Sequence, residues 1–164
     1  MRDIMFDIET TGLEPMQDRI TCISIGLPDG AVGSFAEEDE VHLLKSFIDC
    51  LQPGDRLVHF NGATFDVPFL IKRCVINNVI IKKFDSLDLR NLTNGVEYDE
   101  KNAFKKGKLA LWAEKLGIKV DTPDGSNMQY LYMKGDWDEI KRHCEEDVMI
   151  TRALYNRCRE VRLI

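Results

Sequence analysis

The chain has no apolar run near the roughly 20 residues that a membrane-spanning helix needs, so no membrane association is expected. Its N-terminus shows no basic stretch followed by an apolar one, which argues against a secretory signal and predicts an intracellular, cytoplasmic protein. There is no C-x-x-C pair. Cys22, Cys50, Cys74, Cys144 and Cys158 are odd in number and scattered, so they read as reduced, mostly buried thiols, with neither a disulfide framework nor a zinc site. Low-complexity tracts, internal repeats and linkers are also missing, and the 164 residues are read as one domain, 1–164. Nor is there a basic excess. A net charge of −6 argues against broad binding to polyanions, but not against a nucleic-acid enzyme whose carboxylates gather around cations.

What is present is an ordinary globular pattern. Residues 2–8 predict a strand, 19–25 a second, and 31–35 a third after the turn Pro28-Asp29-Gly30, together an antiparallel meander. Val41, Leu44, Phe47, Ile48 and Leu51 fall at helical spacing within 37–51, and 56–60 is a short apolar strand expected parallel to the first. A helix follows over 64–73 and an apolar strand over 79–84. The polar stretch 91–108 reads as a mobile loop, 109–116 and 128–133 as helices, and 122–126 as a turn between them. The final helix begins at Asp136 with a capping-box-like Glu139. It carries Ile140, Cys144, Val148, Thr151, Tyr155 and Cys158 on one stripe. A meander joined to a strand–helix–strand unit implies an α/β mixed sheet flanked by helices.

Three acidic points stand out against this frame. Asp7 and Glu9 lie two apart on the first strand and so share one face, opposite Phe6 and Ile8. Taken alone, such a pair is better explained by an exposed strand face or a chance pairing than by a metal site. If buried, the two carboxylates repel, and a hard divalent cation such as Mg²⁺ or Mn²⁺ is the usual remedy. The second point is Asp66 and the third Asp147, which shares a helix face with His143 at i, i+4.

These residues sit in three stretches that resemble the motifs of the DEDD, or DnaQ-like, superfamily of 3′→5′ exonucleases, which has a ribonuclease-H-like fold. The stretches are Phe6 to Gly12, His59-Phe60-Asn61 through Phe65-Asp66, and Ile140 to Tyr155 with Glu146-Asp147-Val148. The resemblance spans nearly the whole chain. It is strongest to predicted exonucleases related to the proofreading domain of family B DNA polymerases. One departure is visible. The family carries a tyrosine four positions before its last aspartate or a histidine five before it, whereas here His143 stands four before Asp147 and Arg142 five before.

The resemblance implies two-metal phosphodiester hydrolysis, with Mg²⁺ or Mn²⁺ ions about 3.5–4 Å apart. Asp7 would bridge both ions, Glu9 and Asp147 would hold the nucleophile-side ion, and Asp66 would serve the second. His143, if neutral, would accept a proton from the attacking water or orient it. Thr10, Thr11 and Gly12 would meet the terminal nucleotide, and Asn61 and Phe65 its sugar or base, although Phe65 serves equally well as core. The expected substrate is single-stranded DNA cut from its 3′ end to nucleoside 5′-monophosphates. Exoribonuclease or RNA 3′-end trimming is the alternative, and a non-catalytic nucleic-acid-binding module a further one. Lys101, Lys105, Lys106 and Lys108 either track phosphates or form a solvated face. Asp85 and Asp88 read as the solvated start of a loop rather than as acids supporting the ligands.

Overall fold

Alternation along one strand organises the architecture. In the computed structural model, which describes residues 2–27, 29–94, 108–121 and 127–164, that strand is β1 (Asp3–Thr10). Its Ile4, Phe6 and Ile8 point to one side and its Met5, Asp7 and Glu9 to the other. β2 (Ile20–Gly26) and β3 (Val32–Ala36) add antiparallel on one flank; β4 (Arg56–His59) and β5 (Asp85–Asp88) add parallel on the other. The order is β3-β2-β1-β4-β5.

Helices cover both faces. Ile4, Phe6, Ile8 and Leu57 pack against Leu43, Leu44 and Phe47 of α1 (Glu40–Cys50) and Phe69 and Leu70 of α2 (Asp66–Ile76). Phe6 stacks on Phe47 with ring centroids 5.4 Å apart. Each such fully buried side chain contributes about 1.5–3 kcal/mol. On the other face, Met5 and Val58 meet Val148, Leu154 and Tyr155 of α6 (Trp137–Glu160). A third cluster, Cys22, Ile140, Cys144 and Met128, joins α6 to α5 (Met128–Lys134) beside the end of β1. α3 (Leu89–Asn94) and α4 (Leu109–Leu116) complete the described elements.

The mixed α/β sheet is as expected, with three local departures. No strand forms over 79–84, where Val79 is buried but Ile80 is 89% exposed. The ladder instead takes the more polar 85–88, because those backbones reach β4, beginning with the Asp85 N–H on the Asp55 carbonyl at 2.9 Å. Pairing geometry overrides the β-propensity of Val-Ile-Ile. Residues 91–94, expected as loop, belong to α3 because Asp88 Oδ1 accepts the N–H groups of Arg90 and Asn91 at 2.9 and 3.4 Å. The capping box at Asp136 does not form: the Asp136 side chain makes no cap bond, and Glu139 pairs with Arg142 at 2.6 Å. The turn expected at 122–126 and the lysines at 101, 105 and 106 lie outside the described residues.

Candidate active site

Strand parity aims Asp7 and Glu9 at α6, and the helix repeat returns His143, Cys144 and Asp147 to meet them. His143 Nδ1 lies 2.7 Å from Glu9 Oε1, in a buried contact. Ligand atoms of Glu9, His143 and Asp147 all fall within 4.8 Å of one another, as do those of Asp7, Glu9 and Cys144. Asp66, in the first turn of α2, comes from the opposite layer, and its Oδ1 accepts the Ile8 N–H at 3.3 Å. The four acids named from the sequence thus converge at the C-terminal end of β1.

Beside them opens a cavity of 460 Å³ bordered by Glu9, Thr10, Thr11, Gly12, Leu13 and Phe65, and closed by Met128 and Gln129 of α5. Thr10 Oγ1 donates to the Gly12 carbonyl at 2.7 Å, and Thr11 Oγ1 donates to Asp18 at 3.3 Å, so both hydroxyls shape the loop. A Cβ on Gly12 would stand 2.4 Å from the Asp18 carboxylate, which would have to shift to admit it. Phe65 is both wall and core, its ring 5.4 Å from that of Phe69. Asn61 is not among the residues bordering this cavity. Its Oδ1 accepts from Arg90 at 2.5 Å and from Thr64 Oγ1 at 3.1 Å.

A sequence profile described as the RNase H superfamily matches residues 4–159. The chain belongs to the RNase H superfamily. An uncharacterised protein of Methanocaldococcus jannaschii is 34% identical over 172 residues, covering 94% of each chain. Among solved structures, the fold matches the family B DNA polymerase of Pyrobaculum calidifontis, with a TM-score of 0.74 at 19% identity. It also matches a zinc-bound Escherichia coli ExoI–ssDNA complex at 0.65 and 14%, and Mg²⁺-bound NrnC of Brucella melitensis at 0.54 and 13%. These matches cover 98–99% of this chain, but only 25% of the polymerase, 41% of ExoI and 76% of NrnC. At such identities the likeness is one of fold.

Electrostatics mark this RNase H superfamily site. Burial, then the charges of Asp147, Asp66 and Glu9, push the Asp7 carboxyl well above the usual carboxylate range. Burial raises Asp66 to about 7 and Asp147 to about 6, although His143 pulls the latter down. Carboxylates held this close and this dry repel one another, and a divalent cation among them would relieve that repulsion. The all-oxygen donor set of Asp7, Glu9, Asp66 and Asp147 suits Mg²⁺ or Mn²⁺.

Sequence reasoning passed over three residues. Cys144 reads as core, yet its Sγ donates to Asp7 Oδ2 at 3.4 Å. Asp18 closes the loop after β1 by accepting from Thr11 and from the Glu14 N–H. Asp88, read as solvated, accepts the N–H groups of Asn61 and Ala63 at 3.0 and 3.1 Å while capping α3. It therefore pins the turn from which α2 and Asp66 start. Asn61 adopts φ 68° there, and a Cβ on Gly62 would strike the His59 ring at 2.6 Å. The only sequence signal for Asp88 was its place just before Leu89, where a helix cap belongs.

Proposed function

We propose that the chain is a metal-dependent 3′→5′ exonuclease of the DEDD type that acts on single-stranded nucleic acid, DNA ahead of RNA, and releases nucleoside 5′-monophosphates. The observation that carries this reading is the convergence of Asp7, Glu9, Asp66 and Asp147 at one strand end, three of them with carboxyls pushed upward. Support also comes from the relatives of like fold, one solved with single-stranded DNA and one with Mg²⁺.

In this reading Asp7, Glu9, Asp66 and Asp147 hold two cations, Mg²⁺ or Mn²⁺. When bound, these supply a lowered pKa for the attacking water and charge stabilisation for the leaving 3′-oxygen. His143 handles the proton. With Nδ1–H directed at Glu9, 2.7 Å away, the ring is fixed in orientation and Nε2 becomes the accepting nitrogen. Thr10 to Gly12 and Phe65 frame the space for the terminal nucleotide. Asn61, engaged by Arg90 and Thr64, serves the substrate only if it exchanges those partners.

The test is a degradation ladder on 5′-labelled single-stranded DNA and RNA with Mg²⁺, Mn²⁺ or chelator. Stepwise shortening from the 3′ end, abolished by chelator and faster on single strands and 3′ overhangs than on blunt duplex, is the expected result. Cleavage of a closed circle or of a 3′-blocked strand at equal rate would mean endonuclease action and would overturn the reading. Equal or faster RNA shortening would move the substrate class to RNA.

A further inference from the structure

Away from the acids, β5 is the last strand of the sheet, and among the described residues no strand pairs with its outer edge. Beside that edge lies a second cavity of 540 Å³, walled by Val67 and Ile71 of α2 and by Ile81 and Phe84. Its apolar surface does not stop at the rim. Val75 and Ile76, a turn further along α2, are 75% and 45% exposed, and Ile80 is 89% exposed. Five β-branched aliphatics exposed within eleven residues, 71–81, form a patch of the kind that marks an interaction site.

The charge around this patch opposes that of the chain. Lys82 and Lys83 line the cavity and Lys72 stands exposed beside Ile71, against one lining carboxylate, Asp85, in a protein of net charge −6. Lys82 Nζ donates to the carbonyls of Asp49 and Leu51 at 3.0 Å each, so its position is held. Ser86, also in the lining, is hydrogen-bonded to the buried His59 Nε2 at 2.7 Å and adds a polar point to the wall. An exposed strand edge beside an apolar cavity takes an extended peptide: its main chain pairs with the edge and alternate side chains fill the cavity.

We infer that the β5 edge and the α2 cavity dock an extended segment of a partner protein that carries aliphatic or aromatic anchors and a surplus of Asp and Glu. The lysines select the acids, and the aliphatic patch takes the anchors. A second copy related by a two-fold axis through the patch is disfavoured, because it would set Lys82 and Lys83 against themselves.

The experiment selects peptides from a random display library on the intact chain. The selected peptides are then titrated by fluorescence anisotropy against wild type, Ile80→Ser and Lys83→Glu. Both positions are exposed, so the thermal stability of the variants should equal that of wild type. The expected peptides are acidic with apolar anchors, weaken with salt, and lose about tenfold or more in affinity to each variant. Selection of neutral or basic peptides, of none, or of peptides indifferent to both substitutions overturns the inference. So does a dimer in sedimentation velocity that Ile80→Ser dissolves, since a second copy would then be the occupant.

Discussion

The chain buries acids in two ways. Glu40 is 3% exposed and accepts from Arg73 Nε and Nη2 at 2.9 and 2.6 Å, from Asn77 at 3.0 Å and from the Ile20 N–H at 2.8 Å. Asp55 has Arg2, and Asp3 has Arg56 and the Tyr155 hydroxyl. Burial works to raise Asp3 and Asp55, but their hydrogen bonds outweigh it, and both carboxyls settle below the usual value. Asp7, Asp66 and Asp147 instead face one another, a backbone N–H, a thiol and an imidazole, and their carboxyls rise. At Glu40, Asp55 and Asp3 the chain brings a guanidinium to the acid. At the end of β1, in the proposed reading, the balancing positive charge would come from divalent cations.

The contrast breaks most completely at Asp7. Asp7→Asn should leave nuclease turnover at the chelator background. It should also raise the melting temperature of the metal-free chain, because one buried like charge is removed. The gain is a few degrees, since about 1 kcal/mol moves a domain of this size by ~2–4 °C. Surviving turnover, or a lower melting temperature in calorimetry, would contradict the contrast.

Next in size is His143, the imidazole set among the acids. Loss of a general base costs about 10²–10⁴-fold, so His143→Ala should lower turnover into that range with metal affinity nearly kept. His143→Tyr, which restores the family's residue at that position, should retain more. Turnover of all three proteins against pH at saturating metal decides it. A few-fold loss with an unchanged acid limb makes His143 a bystander.

On the structural side, Arg73→Ala strips Glu40 of its cation. Breaking a buried pair from one side costs about 3–5 kcal/mol. Urea denaturation should show a loss of that order, while turnover per folded molecule stays within a few-fold. If the stability loss is under 1 kcal/mol, the paired acids are not the fold's device.

A pH series sharpens the same distinction. With Asp66 at about 7 and Asp147 at about 6, the folded metal-free chain keeps protons that the unfolded chain has already released. Its stability should therefore fall as pH rises from roughly 4, where unfolded carboxyls titrate, to 7. Saturating Mg²⁺ should flatten that slope. Stability that rises over this range without metal would reverse the sign and refute the assignment.

The smallest effect concerns Asp88, which holds the Asn61–Ala63 turn and the start of α3. Asp88→Ala should cost about 0.5–2 kcal/mol, as lost caps do. Apparent Mg²⁺ affinity should fall with it, because Asp66 leaves from the same turn. Asp88→Asn, which keeps an acceptor, should recover part of both.

Much of the fold and the site was legible because it rests on local periodicity. A period of two on β1 puts Asp7 and Glu9 on one face whatever surrounds them, and a period of 3.6 puts His143 beside Asp147. The apolar stripe of α6 and the turn at Gly30 follow in the same way from side-chain spacing and backbone sterics. The tertiary structure alone decided what crosses between elements. It set Asp66 on the Ile8 N–H, Cys144 under Asp7, Asn61 with Arg90 rather than at the cavity of Thr10 and Gly12, and strand β5 at 85–88 rather than in the more apolar 79–84. These contacts span 29 to 137 positions in the chain, or depend on which backbone reaches β4. Local spacing carries no record of them, because they form only once packing has brought the layers together.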